Sequence, residues 1–246
     1  MFKISRLRAY LSLLVMNHIL FAGGIGYVIS THEYYWLGIS LVWFCLVRII
    51  GVNAGLHRYF SHRSYKTTKF WERVITFFVI NACYSTPIVY SAKHRDHHSS
   101  GYELYEGKTY LDFTPASKEQ MTKWVRDLLQ NRDLVFVQKY YIHIMVAYMI
   151  LLALFNPLLT IFIFSIPACL CINPFAGGAL HFFGHNRYGY QNFPREDGSK
   201  NNTLCNILTV GEGLHNNHHN NPNHWNFKAK WWEIDPPGIF IRLIKK

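Results

Sequence analysis

The stretch "HNNHH" at 215–219 places three histidines within five residues, and it is one of several such groups. Of 14 histidines, eight fall into three clusters. His57 and His62 lie in "HRYFSH", His94, His97 and His98 in "HRDHH", and His215, His218 and His219 in "HNNHH". A ninth, His181, stands in "GGALHFFGH". On an α-helix, positions i, i+3 and i+4 share one face, so the second and third clusters can each aim three imidazoles at one centre. The first cluster is spaced i, i+5, about 140° apart on an ideal α-helix. That spacing cannot clamp one ion from a straight α-helix; it can serve two ions, or one across a helix end. Nine neutral imidazoles exceed the needs of one ion and suit two, with four or five nitrogens each. Imidazole is a good ligand for iron, zinc and copper, and a single zinc needs only three or four ligands. His18 and His143 read as packed residues within apolar runs, and His32, His185 and His224 as surface or supporting groups.

The elements that must carry these clusters are largely apolar. Half the residues are hydrophobic and only 16% are charged, against roughly 25% in an average soluble protein. Two uncharged runs, Ala9 to Ile29 and "YYWLGISLVWFCLV" at 34–47, precede a third apolar region at 140–180 broken by Asn156-Pro157. A bilayer crossing takes about 20 apolar residues. The pattern predicts an all-α membrane protein, one domain over 1–246, with spans at about 9–29, 34–51, 140–156 and 157–180. The histidine-rich cap then comprises 52–139 and 181–246. The first run reads as a retained span rather than a signal peptide, because no A-x-A-like cleavage site is obvious and a second apolar run follows at once. Neither turn between paired spans contains Lys or Arg. The positive-inside rule therefore puts both termini and the cap on the cytoplasmic side. The net charge of +11 follows this topology and anionic headgroups rather than nucleic acid, for which no module is visible. The run at 71–90 is interrupted by Asn81, Ser85, Thr86 and Pro87. Were it to cross, the first two clusters would lie on opposite faces, so an interfacial helix is expected. The five cysteines, mostly in apolar runs and with no C-x-x-C, read as small buried hydrophobes.

Paired redox metals beside a membrane suggest oxygen activation on a lipid chain, since unreactive carbon–hydrogen bonds need an oxidant that side chains lack. The segments "GLHRYFSHRSYKTT", "HRDHH", "NPFAGGALHFFGHNRYG", "EDGSKNN", "VGEGLHNNHHNNP" and "WWEID" resemble, in order, those of membrane fatty-acyl desaturases, especially bacterial delta-9-like acyl-CoA desaturases. The resemblance implies four spans, a cytoplasmic cap, and a location in a bacterial inner membrane. It implies two iron ions bound by His57, His62, His94, His97, His98, His181, His215, His218 and His219, with zinc able to replace iron in recombinant material. It implies O2 as co-substrate, a fatty acyl substrate as its CoA thioester, surrounding membrane lipids, and a separate electron donor such as ferredoxin or a b-type cytochrome. No "HPGG" haem motif occurs in the chain. Two departures stand out. Gly177 occupies the place of an asparagine found in the acyl-CoA branch four residues before the histidine matching His181, so either a water fills that place, another group such as Asn173 substitutes, or the metal site differs. The segment "SSGYELYEGKTY" lacks the acidic-Pro pattern that helps bind the thioester carrier, which leaves CoA, a carrier protein and a glycerolipid open as the carrier.

Supporting roles are expected for Glu212, as acceptor from a ligand imidazole, for Asp96, and for Asn216 and Asn217. Arg58 and Arg63 are candidates for acidic headgroups or the acyl carrier. Trp231 and Trp232, with Asp235, are expected to brace the cap or to meet substrate. Two other functions fit the same boxes: a di-iron acyl hydroxylase or acetylenase, and a non-catalytic metal-binding or transport protein. The last would need polar groups along the spans, where charges are nearly absent.

Overall fold

The computed structural model describes residues 4–100, 118–172 and 188–246. Among them the chain is helical, with two isolated bridges, Tyr190 with Asn201 and Asn201 with Leu214, as its only β pairing. Helix α1 (Ile4–Thr31) is followed by α2 (Tyr35–Leu46), which runs without a break into a π-helical segment, Val47–Ser61. Next come α3 (Lys69–Asn81), α4 (Pro87–Ser100), α5 (Lys118–Leu129) and α6 (Arg132–Phe155). A bent helix follows, made of α7 (Pro157–Leu159), a π-helical turn Thr160–Ser165, and α8 (Ile166–Ile172). The short helices α9 (Thr203–Leu208) and α10 (His215–Asn220) and the C-terminal α11 (Pro236–Ile244) complete the chain.

Among the described residues three helices are long and apolar enough to cross a bilayer: Leu7–Thr31, Tyr35–Ser61 and Arg132–Phe155. Pro157–Ile172 is apolar but shorter, and the remainder of the fourth expected span lies outside the described residues. Outward faces of these helices carry Val15, Ile19, Val42, Ile150 and Leu154 exposed, the arrangement of helices solvated by lipid rather than water. Buried hydroxyls and amides tie the helices together. Ser40 Oγ donates to the Phe162 carbonyl at 2.6 Å. Ser165 Oγ donates to Asn17 Oδ1 at 2.9 Å, and Thr160 Oγ1 to the Met149 carbonyl at 3.0 Å. Such bonds are a main adhesive where the hydrophobic effect is absent. The Asn156-Pro157 break is built by one side chain: Asn156 ends α6 and caps α7, its Oδ1 accepting from Leu158 N at 2.9 Å.

Two boundaries differ from the sequence expectation. The second apolar helix does not end near 51 but continues to Ser61, so it carries the first histidine itself. The run at 71–90 is two helices, not one. Thr68 Oγ1 caps α3 by accepting from Trp71 N, Cys83 adopts a positive φ of 52°, and Pro87 starts α4 where its missing N–H costs nothing. At 13 residues, α3 spans about 20 Å, too short for a crossing. It lies against the π-helical segment, where Gly51 and Gly55 allow contact: a Cβ on Gly51 would stand 2.5 Å from the Phe78 backbone. Ile75 and Val79 of α3 join Ile50, Leu56 and Phe60 in one core, to which α11 adds Ile241 and Ile244.

Candidate metal centre

The π-helical segment solves the problem posed by the i, i+5 spacing. Hydrogen bonding from i+5 to i, here His62 N to the His57 carbonyl at 3.2 Å, widens the turn and brings residue i+5 closer to the face of residue i than an α-helix does. His57 and His62 therefore face the same centre, their ring centroids 5.0 Å apart; the α-helical angle of about 140° does not apply. From α4, His94 and His98 reach the same point by i, i+4 spacing, and His218 enters from α10. The ligand atoms of His57, His62, His94, His98 and His218 all lie within 4.8 Å of one another. The Nε2 separations are 3.1 Å for His57 and His218, 2.7 Å for His62 and His94, and 3.2 Å for His98 with His94 and with His218. Five ring nitrogens turned to one point are a donor set for a cation; neutral rings alone cannot satisfy every pair with one proton each.

Beside this group, His215 and His219 stack with centroids 4.3 Å apart, and His219 lies 5.0 Å from His98. Seven of the nine predicted ligands are thus brought into one neighbourhood. The side chain of His97, and His181, Asn173 and Gly177 entirely, lie outside the described residues, as does the segment after "HRDHH" from residue 101 on.

Two carboxylates aim the rings. Glu212 meets His57 Nδ1 in a short contact, which leaves Nε2 for the centre. The turn that delivers it needs Gly211 at φ +117°, where a Cβ would also strike Pro237 at 2.5 Å. Burial pushes the Glu212 carboxyl up to about 8 against the opposing pull of Arg58 and Arg48. Asp197 accepts from His219 Nδ1 at 3.1 Å. Burial would raise its carboxyl, but bonds from His219, Ser199 and Arg195 outweigh that and hold it well below the usual carboxylate range. His218 is kept well below the ordinary imidazole range, first by burial and then by the neighbouring histidines. A neutral imidazole is the ligating form.

The other predicted residues divide by position. Asn216 and Asn217 support α10 rather than the centre. Asn216 Oδ1 accepts from Asn192 N and Phe193 N at 2.9 and 3.0 Å, and Asn217 Nδ2 donates to the Phe227 carbonyl and Glu233. Asp96 Oδ1 accepts from the Trp124 indole at 3.0 Å. Arg58 does not meet headgroups or solvent. It is fully buried, forks onto Asp235 at 2.7 and 2.8 Å, donates to the Trp225 carbonyl and lies 3.6 Å over the Phe227 ring. Arg63 is exposed and donates from Nε to Asp127 at 2.9 Å. Trp231 is 86% exposed and so does not brace the cap; Trp232 packs on Tyr190 at 5.1 Å.

Sequence reasoning missed four contributing residues. Arg95, inside "HRDHH", donates to the Phe60 and Ser61 carbonyls at 2.6 and 2.7 Å and to Asp127 at 2.9 Å, fastening α4 to the end of the π-helical segment. Asp197 was visible in "EDGSKNN" but its partner lies 22 residues on. Gly51 and Gly55 form a G-x-x-x-G pair whose spacing alone marks a close helix approach.

A family model described as fatty acid desaturase matches residues 33–236. The chain is 26% identical over 238 residues to an sn-2 palmitoyl-lipid 9-desaturase of Nostoc sp. (strain 36), covering 89% of this chain and 82% of that one. It is 25% identical to an sn-1 stearoyl-lipid 9-desaturase of Anabaena variabilis, covering 85% and 80%. It is also 25% identical to an acyl-CoA 5-desaturase of Anemone leveillei, covering 93% and 76%.

Proposed function

The chain belongs to the fatty acid desaturase family, a membrane oxidoreductase acting on fatty acyl chains, and from that premise we propose that it introduces a delta-9-type double bond with two irons and O2. The names of the two cyanobacterial relatives support position 9. The observation that carries the metal assignment is the convergence of five imidazole nitrogens within 4.8 Å. The balanced reaction removes two hydrogens from adjacent carbons and, with O2, two electrons and two protons, yields the alkene and two waters. A separate donor, a ferredoxin or b-type cytochrome, supplies the electrons.

When bound, the irons supply the oxidising power that no side chain here possesses. The chain's own residues do the rest. His57, His62, His94, His98 and His218, whose ring nitrogens converge, would hold metal together with His215 and His219 beside them and with the sequence-expected His97 and His181. Glu212 and Asp197 stand at Nδ1 of His57 and His219, which would turn the other ring nitrogen of each toward a metal. Phe227, buried, with its ring 5.6 Å from His57 and 4.7 Å from His218, keeps water from one side. The distribution of Lys and Arg supports a topology with both termini and the cap on the cytoplasmic face.

Lipid profiling of a host lacking the activity, with and without the protein, tests this reading. A product two mass units lighter, with iron bound, supports it. A product sixteen units heavier makes the enzyme a hydroxylase, and metal binding without reductant-dependent turnover removes the enzymatic reading. Feeding labelled acyl-CoA against labelled glycerolipid identifies the carrier, the CoA thioester being the sequence expectation. His218→Ala should lower iron content and abolish product while membrane insertion persists; full activity would remove the ligand assignment.

A further inference from the structure

Short helix α9 sits at a depth that a polar C-terminal segment would not be expected to reach. The turn between α1 and α2 marks one edge of the bilayer. There Glu33 accepts from Tyr27, Tyr35 and Trp36 at 2.8, 3.0 and 3.1 Å, and amphipathic aromatic rings gather at the membrane–water boundary. Arg48 lies twelve residues along the helix from Trp36, about 18 Å at 1.5 Å per residue, inside a hydrocarbon core about 30 Å thick. Its charge does not face lipid. Arg48 donates from Nε and Nη2 to the Thr209 carbonyl at 3.2 and 3.0 Å. Asn53 donates to the carbonyls of Thr209 and Val210 at 3.0 and 2.8 Å. The chain immediately after α9 is therefore pinned beside a spanning helix below the membrane surface.

The outer face of α9 fits that depth. Leu204, Ile207 and Leu208, at i, i+3 and i+4, are 58%, 69% and 47% exposed, while Cys205 and Asn206 face inward. Asn206 Nδ2 holds the Ile234 carbonyl at 2.8 Å, adding a side chain 66% exposed to the same neighbourhood. Charge follows the same division. Between 228 and 235 the acids Glu233 and Asp235 are buried, whereas Lys228 and Lys230 are exposed beside Trp231. Aliphatic side chains at depth with basic and indole groups beside them complement acyl chains under anionic headgroups.

We propose that α9 and Ile234 form a non-spanning membrane contact, occupied by lipid of the leaflet next to the metal centre. The proposal rests on the reading that the long apolar helices cross the bilayer. Because the same backbone continues through Thr209 into Glu212 and His215, lipid contact at α9 fixes the depth of the site at the bilayer edge.

The test is nitroxide accessibility in vesicles of phosphatidylcholine and phosphatidylglycerol, on a Cys45→Ala background in which the remaining cysteines are buried. Leu204→Cys, Ile207→Cys and Leu208→Cys are labelled singly. Ile150→Cys on α6 serves as the lipid reference and Asn223→Cys as the aqueous one. At the α9 sites the expected result is greater relaxation by oxygen than by a nickel chelate, following Ile150. Relaxation by nickel as at Asn223, with Ile150 still in lipid, overturns the proposal. Protection from both reagents also overturns it and shows protein covering the helix. If the Ile150 site is itself nickel-accessible, the spanning reading fails instead. Three positions are used so that one variant failing to insert leaves two to decide.

Discussion

Arg58 shows how much of this site is held by groups that never touch a metal. Its guanidinium, fully buried, joins Asp235 at the start of α11 to the helix that carries His57. Removing one partner of such a pair strands the other charge and costs about 3–5 kcal/mol. Arg58→Ala should therefore lower the melting temperature in detergent steeply. Arg58→Lys should recover little, because an ammonium cannot fork onto both carboxylate oxygens and stack on Phe227. A lysine variant melting like the parent would show that the fork is not what holds α11. Glu212 and Asp197 belong to the same scale. Replacing a carboxylate that accepts from a ligand imidazole costs roughly 10–100-fold in metal affinity. Glu212→Gln and Asp197→Asn should each lose iron in a chelator competition without loss of helical signal. Unchanged iron retention in both would leave them structural.

At the scale of elements, the contact between α3 and the π-helical segment depends on two glycines. A Cβ on Gly51 meets backbone at 2.5 Å, whereas one on Gly38 meets nothing within 4 Å. Backbone cannot rotate aside, so overpacking of about 1–3 kcal/mol follows. Thermal unfolding should place Gly51→Ala well below the parent and Gly38→Ala at or slightly above it; equal melting of the two would mean α3 is not closely docked. Helix α5 is held differently. Burial would raise the Asp127 carboxyl, but Arg95 and Arg63 outweigh it and lower it. A depressed folded-state value gives stabilisation that is present above the unfolded value of about 3.9 and is lost as pH falls through the folded one. Hydrogen exchange in 118–129 should thus be insensitive to pH, after correction for intrinsic rates, from 7 down to about 4.5 and should accelerate below that, a response that Asp127→Asn removes.

For the whole molecule, the centre joins elements far apart in sequence: the π-helical segment, α4 and α10. A metal that binds only the folded arrangement stabilises it by mass action. Iron-loaded protein should unfold at a higher temperature than chelated protein, with the difference abolished in His218→Ala. Equal melting temperatures would detach the metal from the fold.

The histidine boxes, the apolar runs, the Asn156-Pro157 break and the polar interruption of 71–90 at Asn81, Ser85, Thr86 and Pro87 could all be read from sequence, because each is a local pattern: residue type, run length or turn chemistry; that the interruption divides the run into two helices was not read. The i, i+4 spacing of His94 and His98 is likewise local. The i, i+5 spacing of His57 and His62 was not, since its meaning depends on which helix forms. Packing of Gly51 and Gly55 on α3, with Arg95 capping the end, accompanies π geometry there. Arg58 looked like a surface cation because nothing nearby in sequence neutralises it; its partner is 177 residues away. Asp197 and the depth of α9 were hidden for the same reason. Sequence by itself determined which imidazoles are available in clusters and which segments prefer lipid, while only the tertiary structure decided which rings meet and which charges leave water, because convergence and burial depend on the whole chain at once.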